Sequence, residues 1–233
     1  MFFPFLLPGW WLLLPAIAFV MYAQWKVKST YQRYARVPST YRLTGAQVAR
    51  RLLDDQGLQN VAVQPIAGTL TDRYDPAKKT LGLSQGVYDG ASVAAVGIVA
   101  HEIGHALQDA RGYSPMKVRS SLVPAANFGS MLGPWLIMAG LFFNAFHGLL
   151  GIGVVVFAAA VLFQLVTLPV ELNASQRALA MLTASGFVDR TELQETRKVL
   201  SAAALTYVAA AAVAVMQLLQ FGLLLSGGGR SRN

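Results

Sequence analysis

The sequence contains no cysteine and little charge. Of its 233 residues only 13% are Asp, Glu, Lys or Arg, whereas 55% are hydrophobic. An ordinary soluble domain has about 25% charged residues, so this is not the composition of a plain soluble globule. The lack of cysteine excludes a disulfide-stabilised scaffold and thiolate metal ligands, and the many large apolar residues exclude a disordered chain.

The missing charge is confined to three segments. Residues 1–25, 122–170 and 203–225 contain no Asp, Glu, Lys or Arg. A helix needs about 20 apolar residues to cross a bilayer, and the second segment is long enough to cross twice as a hairpin that turns near residues 144–148. We therefore expect an α-helical multi-pass membrane protein with four transmembrane helices. A cleaved signal peptide is the alternative for the first segment, but no cation precedes its apolar run.

The basic residues outside these segments predict the orientation. Residues 26–121 contain 13 of the 19 Lys and Arg residues, and residues 171–202 contain four. Cytoplasmic loops of membrane proteins carry an excess of Lys and Arg. Both parts are therefore expected on the cytoplasmic side of the cell membrane, with the hairpin turn and both termini outside, including the tail of residues 226–233. The net charge of +8 fits this bias and attraction to the lipid bilayer; nucleic acid is not expected as a partner, because no basic patch alternates with aromatic residues.

The first cytoplasmic part has an α+β pattern. Thr44 and Gln47 have the spacing of a capping box, which predicts the start of a helix. Short β-branched or alternating runs at residues 60–67 and 79–84 predict two or three strands. A second helix is predicted over Val93–Ala110, because Gly and Pro residues follow it closely.

Two of the three histidines in the chain bracket a glutamate in this second helix. His101 and His105 are four residues apart, which puts both imidazoles on one helix face. Neutral imidazole is a good zinc ligand, and Glu102 is placed to act as general base toward a water that the metal activates. The spacing predicts one Zn²⁺ per chain. The alternative is a buried helix whose three polar groups are satisfied by hydrogen bonds, at a cost in an otherwise apolar segment.

A catalytic zinc site needs a third protein ligand, and cysteine is absent. His147 lies in the predicted hairpin turn, on the other side of the membrane. Glu171 directly follows the third predicted span, on the cytoplasmic side, and is predicted to be the third ligand. Small residues share its helix face, so this helix could approach Gly104, and Ser175 could hydrogen-bond a liganding histidine. The alternative for Glu171 is a carboxylate that reaches the aqueous interface.

Other acidic residues suit other roles. Asp109 lies four residues after His105 on the same helix, where we expect it to contact a liganding histidine. Asp189 and Glu192 have the spacing of a helix cap. Glu195 lies in a charged stretch of the region 171–202, where helices are expected.

Five stretches together resemble the YugP-type membrane zinc metallopeptidases along nearly the whole chain. They are Tyr22–Ser29, Leu70–Pro76, Ala100–Ala106, Leu165–Ser175 and Ala203–Tyr207. More distantly, a zinc helix followed by a glutamate ligand is similar to the gluzincin arrangement of the HtpX and CAAX-prenyl endopeptidase families. Those families usually have Asp four residues after the ligand glutamate, where this chain has Ser175. The resemblance implies a zincin-like catalytic part at the membrane surface and endopeptidase activity, without naming a substrate.

We therefore expect a membrane-embedded zinc-dependent endopeptidase that hydrolyses peptide bonds of membrane or membrane-proximal proteins. The strand at Lys79–Ser84 is expected, from the gluzincin resemblance, to be an edge that pairs with an extended peptide. A non-catalytic zinc-stabilised membrane scaffold is one alternative, because it would need the histidines but not Glu102. A site-2-type intramembrane protease is another, but it would take an aspartate from a span, and no predicted span contains one. The oligomeric state stays open.

The absence of cysteine makes the topology testable. Single cysteines replacing Lys78, Phe146 or Ser231 can be probed in intact cells with a membrane-impermeant thiol reagent. We expect labelling at positions 146 and 231 and none at 78, because basic residues hold the catalytic part inside. Position 78 should react once the cells are lysed. Labelling at 78 in intact cells would place the catalytic part outside.

Overall fold

The computed structural model describes residue 7 and residues 9–143, 148–186 and 188–228. The described chain is mostly helical, with one small sheet. Its helices are α1 (Leu14–Tyr34), α2 (Gly45–Asp55), α3 (Gln85–Tyr88), α4 (Val93–Ala110), α5 (Ser114–Phe142), α6 (Gly148–Ser185) and α7 (Arg190–Gly228), and its strands are β1 (Ala62–Ile66), β2 (Arg73–Asp75) and β3 (Thr80–Ser84). Most of the predicted hairpin turn, with Phe146 and His147, lies outside the described residues, as does Ser231 in the tail.

The chain divides into two compact units. The first, which we call the apolar unit, comprises residues 1–23, 117–169 and 206–233. The second, which we call the polar unit, comprises residues 24–116 and 170–205. Most residues of the three charge-free segments fall in the apolar unit.

In the described part of the chain, three helices are long and apolar enough to cross a membrane. They are α5, α6 and α7. The first predicted span includes residues outside the described part, and the described helix α1 is not among the three candidates. A membrane protein with several apolar helices is therefore the supported architecture, and a fourth crossing stays a prediction.

Within the apolar unit, α5 and α6 approach each other closely at glycines. A Cβ atom added at Gly140 would lie 2.3 Å from the backbone nitrogen of Leu150, and one at Gly129 would lie 2.5 Å from the carbonyl oxygen of Val156. Small residues allow such close van der Waals contact between helices in lipid, where no hydrophobic force drives their association. The two helices are therefore packed as expected for the arms of a hairpin.

The polar unit contains a three-stranded sheet in the order β1–β3–β2. Strand β3 pairs in parallel with β1 and antiparallel with β2. All five residues of β3 are buried. The prediction that Lys79–Ser84 forms a substrate-binding edge is therefore wrong, because β3 already has a strand on each side. The edges of the sheet are β1 and β2.

Local capping explains where two helices of the polar unit begin. The Thr44 side chain accepts a hydrogen bond from the Gln47 backbone N–H, and the Gln47 side chain accepts one from the Thr44 N–H. The predicted capping box is thus confirmed. Ser92 caps α4 by accepting a hydrogen bond from the Ala95 N–H at 3.2 Å. Helix α4 has the predicted bounds.

Helix α4 lies in the core of the polar unit. Its Val99, Ile103 and Leu107 are buried in a cluster with side chains from the sheet and from four other helices. The neighbours include Leu52 and Leu53 of α2, Leu81 and Leu83 of β3, Leu182 of α6 and Leu200 of α7. Burial of each such side chain contributes about 1.5–3 kcal/mol relative to exposure. The position of α4 is therefore fixed by packing against the sheet and the surrounding helices.

Helices α4 and α6 meet at Gly104. A Cβ atom at this position would lie only 2.5 Å from the carbonyl oxygen of Ala174. Ala174 and Ala178 of α6 are fully buried. The close approach expected from the small residues after Glu171 is confirmed.

Replacing Gly104 by Ala should push α4 and α6 apart. We expect a loss of about 1–3 kcal/mol in the free energy of unfolding, as for other overpacked cores, and a lower melting temperature in detergent. Gly151→Ala is the matched control, because an added Cβ atom there meets no atom within 4 Å. Equal melting temperatures for the two variants would show that the contact relaxes without cost.

Candidate metal centre

Two histidines of α4 and one glutamate of α6 converge within the polar unit. Nε2 of His101 lies 3.2 Å from Oε2 of Glu171, and Nε2 of His105 lies 3.4 Å from the same oxygen. The two imidazole rings are nearly perpendicular, at 86°, with centroids 4.9 Å apart. One ligand atom from each of the three residues lies within 4.8 Å of the other two. The structure thus brings together the three residues predicted as metal ligands.

The glutamate of this cluster is deeply buried. Glu171 is 3% exposed and His105 is 8% exposed. Burial of a carboxylate is costly unless the group is paired or coordinates a cation. This burial contradicts the alternative in which Glu171 reaches the aqueous interface. Its oxygen faces imidazole nitrogens instead.

The second nitrogen of each histidine is engaged by a neutral side chain. Nδ1 of His101 lies 3.1 Å from Oγ of Ser175, as the sequence suggested. Nδ1 of His105 lies 2.9 Å from Oε1 of Gln108. A carbonyl oxygen can only accept, so His105 carries a proton on Nδ1, and its Nε2, which faces Glu171, is the nitrogen left to bind a metal ion. Both imidazoles are therefore oriented as metal ligands.

A chain of hydrogen bonds fixes the Gln108 amide. Its Nε2 donates to the carbonyl oxygen of Val170 at 2.7 Å and to Oδ1 of Asn173 at 3.1 Å. Asn173 Oδ1 also accepts a hydrogen bond from Arg177 Nε at 2.7 Å. Gln108 is fully buried. With both of its amide protons donated, its oxygen must face His105.

Sequence reasoning missed Gln108 and Asn173 and misassigned Asp109. The Asp109 carboxylate instead accepts hydrogen bonds from the Tyr74 hydroxyl, at 2.7 Å, and from the Lys79 ammonium. Burial raises the pKa of Tyr74, and its hydrogen bond to Asp109 raises it further, so the hydroxyl stays protonated as a donor. A cation and a hydroxyl from the sheet region therefore draw Asp109 away from the histidines. The sequence could have indicated the role of Gln108, because it is a polar residue three positions after His105 in an otherwise apolar helix.

Glu102 is tied to the sheet. Its Oε2 accepts a hydrogen bond from the backbone N–H of Tyr74 in β2 at 2.9 Å. This contact comes from an edge strand and holds the carboxylate beside the turn of α4 that carries His101. Glu102 is partly exposed, unlike Glu171. Its carboxylate is thus oriented and still accessible to water.

Charge within the cluster favours protonation of His105. Burial lowers the pKa of His105, but the hydrogen bond with Glu171 and the negative charges of Glu102 and Glu171 raise it above its ordinary value overall. A proton and a metal ion therefore compete for the same donors, and acid favours the proton.

The donor set fits a zinc ion. Two imidazole nitrogens and one carboxylate oxygen are the protein ligands of one class of catalytic zinc site, which keeps a further position open. His101, His105 and Glu171 supply this set, and they are placed to bind a metal. The hydrogen bonds to Nδ1 of both histidines are the support that such ligands normally have.

Comparisons with known proteins agree with this chemistry. Residues 9–226 match the family described as "Putative neutral zinc metallopeptidase". The chain belongs to this family. It is also similar to the "Putative membrane protease YugP" of Bacillus subtilis (strain 168), with 44% identity over 217 residues, which are 93% of this chain and 96% of that protein. No solved structure matches the chain. The family resemblance read from the five sequence stretches is confirmed.

Removal of the Glu171 carboxylate should weaken metal binding. We expect Glu171→Ala to lower zinc affinity at least tenfold. Even the loss of a group that only hydrogen-bonds a metal ligand lowers metal affinity by about 10–100-fold. Zinc titration against a competing chelator measures the change. Glu195→Ala is the control; Glu192 is unsuitable, because it is buried and accepts a hydrogen bond from the Thr40 N–H. Wild-type affinity in folded Glu171→Ala would remove Glu171 from the ligand set.

Proposed function

We propose that the chain is a membrane-embedded zinc endopeptidase that cleaves membrane or membrane-proximal proteins. The observation that carries this proposal is the convergence of His101, His105 and Glu171 beside Glu102. Membership in a zinc metallopeptidase family and three helices able to cross a membrane support it. One zinc ion per chain is proposed, since these residues form one cluster.

Each residue of the centre has a separate task. Zinc held by His101, His105 and Glu171 would supply Lewis acidity, which polarises a carbonyl group and makes a nearby water a stronger acid. Glu102 takes the proton from that water as general base and returns it to the leaving nitrogen as general acid. The Tyr74 backbone N–H keeps the Glu102 carboxylate oriented for this transfer.

The location of the polar unit is also a proposal. The excess of Lys and Arg in residues 26–121 and 171–202 supports a cytoplasmic location, with both termini outside the cell membrane. Substrates would then be cytoplasmic segments of membrane proteins, or proteins close to the inner surface. An intramembrane site is less well supported, because α4 is not among the candidate spans in the described chain.

The sharpest test of the proposed chemistry is Glu102→Gln. The amide has the size of the carboxylate but cannot take a proton, so we expect full zinc occupancy and a loss of roughly 10²–10⁴-fold in cleavage of unfolded casein. His101→Ala and His105→Ala should lose both zinc and cleavage. The measurement uses detergent-purified full-length protein, with metal analysis of each sample.

Two results would contradict the assignment. Cleavage by Glu102→Gln at the wild-type rate would show that Glu102 is not the base. Zinc-loaded wild-type protein that cleaves neither casein nor membrane-protein substrates in proteoliposomes would favour the zinc-stabilised scaffold.

A further inference from the structure

A basic groove lies between α1 and α7 in the polar unit. Its volume is about 670 Å³. Four cationic side chains line it: Lys26 and Arg33 from α1, and Arg197 and Lys198 from α7. None of the metal-centre residues is among its lining residues. The groove is therefore a feature separate from the proposed peptidase centre.

The groove concentrates positive charge without a compensating carboxylate. No Asp or Glu lines it, and none of its four cations takes part in the ion pairs of the described chain. Like charges that face each other across a concave surface repel, and such a surface raises the local concentration of anions. An anion bound in the groove would reduce the repulsion among these four cations.

The spacing of the residues makes the groove a formed site. Lys26, Thr30 and Arg33 recur at intervals of four and three residues, so they share one face of α1. Ser201 follows Arg197 by four residues and Lys198 by three, so it lies on the same side of α7 as both cations. Thr30, which is buried, and Ser201 also line the groove, and each carries a hydroxyl group. Cationic and hydroxyl groups are hydrogen-bond donors of the kind that a phosphate group accepts from.

The position of the groove along both helices indicates what the anion is. Lys26 is the first charged residue after the charge-free residues 1–25, and Lys198 is the last before the charge-free residues 203–225. Trp25, beside Lys26, is 62% exposed. Tryptophan is enriched where a membrane meets water, and basic pockets between helices at this level bind lipid headgroups.

We propose that this groove binds the phosphate group of an anionic phospholipid headgroup. The binding chemistry would be shared by free phosphate, but only a lipid presents its phosphate at the level where both helices become apolar. The proposal depends on insertion of the chain in a membrane and not on peptidase activity, so it can fail while the zinc chemistry holds, and the reverse.

The test compares two double variants with equal changes in charge. Arg197→Gln/Lys198→Gln removes two groove cations, whereas Lys28→Gln/Arg36→Gln removes two exposed cations that do not line the groove. Native mass spectrometry of the detergent-solubilised full chain counts bound phosphatidylglycerol and phosphatidylcholine at increasing lipid concentration. Melting temperature with inorganic phosphate, at constant ionic strength, tests the free anion. Melting temperature without added lipid or phosphate verifies that each variant is folded.

We expect the wild type to bind phosphatidylglycerol in preference to phosphatidylcholine. The groove variant should lose at least tenfold in that affinity, since each Lys or Arg near an anionic lipid contributes about fivefold. The control variant should stay within about twofold of the wild type, because neither of its two cations lines the groove and so neither contributes the energy of a direct contact with the headgroup. Equal affinity in both variants would overturn the proposal. Inorganic phosphate that stabilises the wild type at the same concentrations as the lipid would overturn the lipid assignment.

Discussion

The metal centre depends on one backbone contact. A helix with histidines four residues apart can present only two nitrogens to one ion, so the third ligand must come from another element. Gly104 lies between His101 and His105 in α4, and it touches the carbonyl of Ala174, which lies three residues after Glu171 in α6. The two histidines therefore lie on either side of this contact in α4, and Glu171 lies about one turn before it in α6. Any side chain at position 104 would separate the carboxylate from the imidazoles.

Local features of the site were predictable from the sequence, because they depend on residues close together in the chain. The spacing of His101 and His105, the capping box at Thr44 and the bounds of α4 are of this kind. Glu171 was predicted from a longer argument, which used the charge-free segments and the small residues on its helix face. These predictions held because the periodicity of a helix in the sequence also decides which of its faces is buried in the fold.

The features that were missed depend on contacts between distant segments. The order of the strands put β3 in the centre of the sheet, although its short sequence would also suit an edge. Asp109 was expected to contact a histidine, but Lys79 and Tyr74 lie across from it in the fold. Gln108 contacts His105 instead, because Val170 and Asn173 of α6 accept its two amide protons and leave its oxygen for the imidazole. Periodicity along one helix does not show which partner another element will supply.

The serine at position 175 affects the charge balance of the centre. The HtpX and CAAX-prenyl endopeptidase families, which the zinc helix and glutamate ligand resemble, usually have an aspartate there, whereas in this chain a neutral hydroxyl lies against His101. The two carboxylates near the histidines, Glu171 and Glu102, together match the charge of one divalent ion. An aspartate would add a surplus negative charge and make the imidazole a stronger electron donor. With serine, a zinc ion held at this centre would keep more of its electron-withdrawing power for a carbonyl group and would be held less tightly.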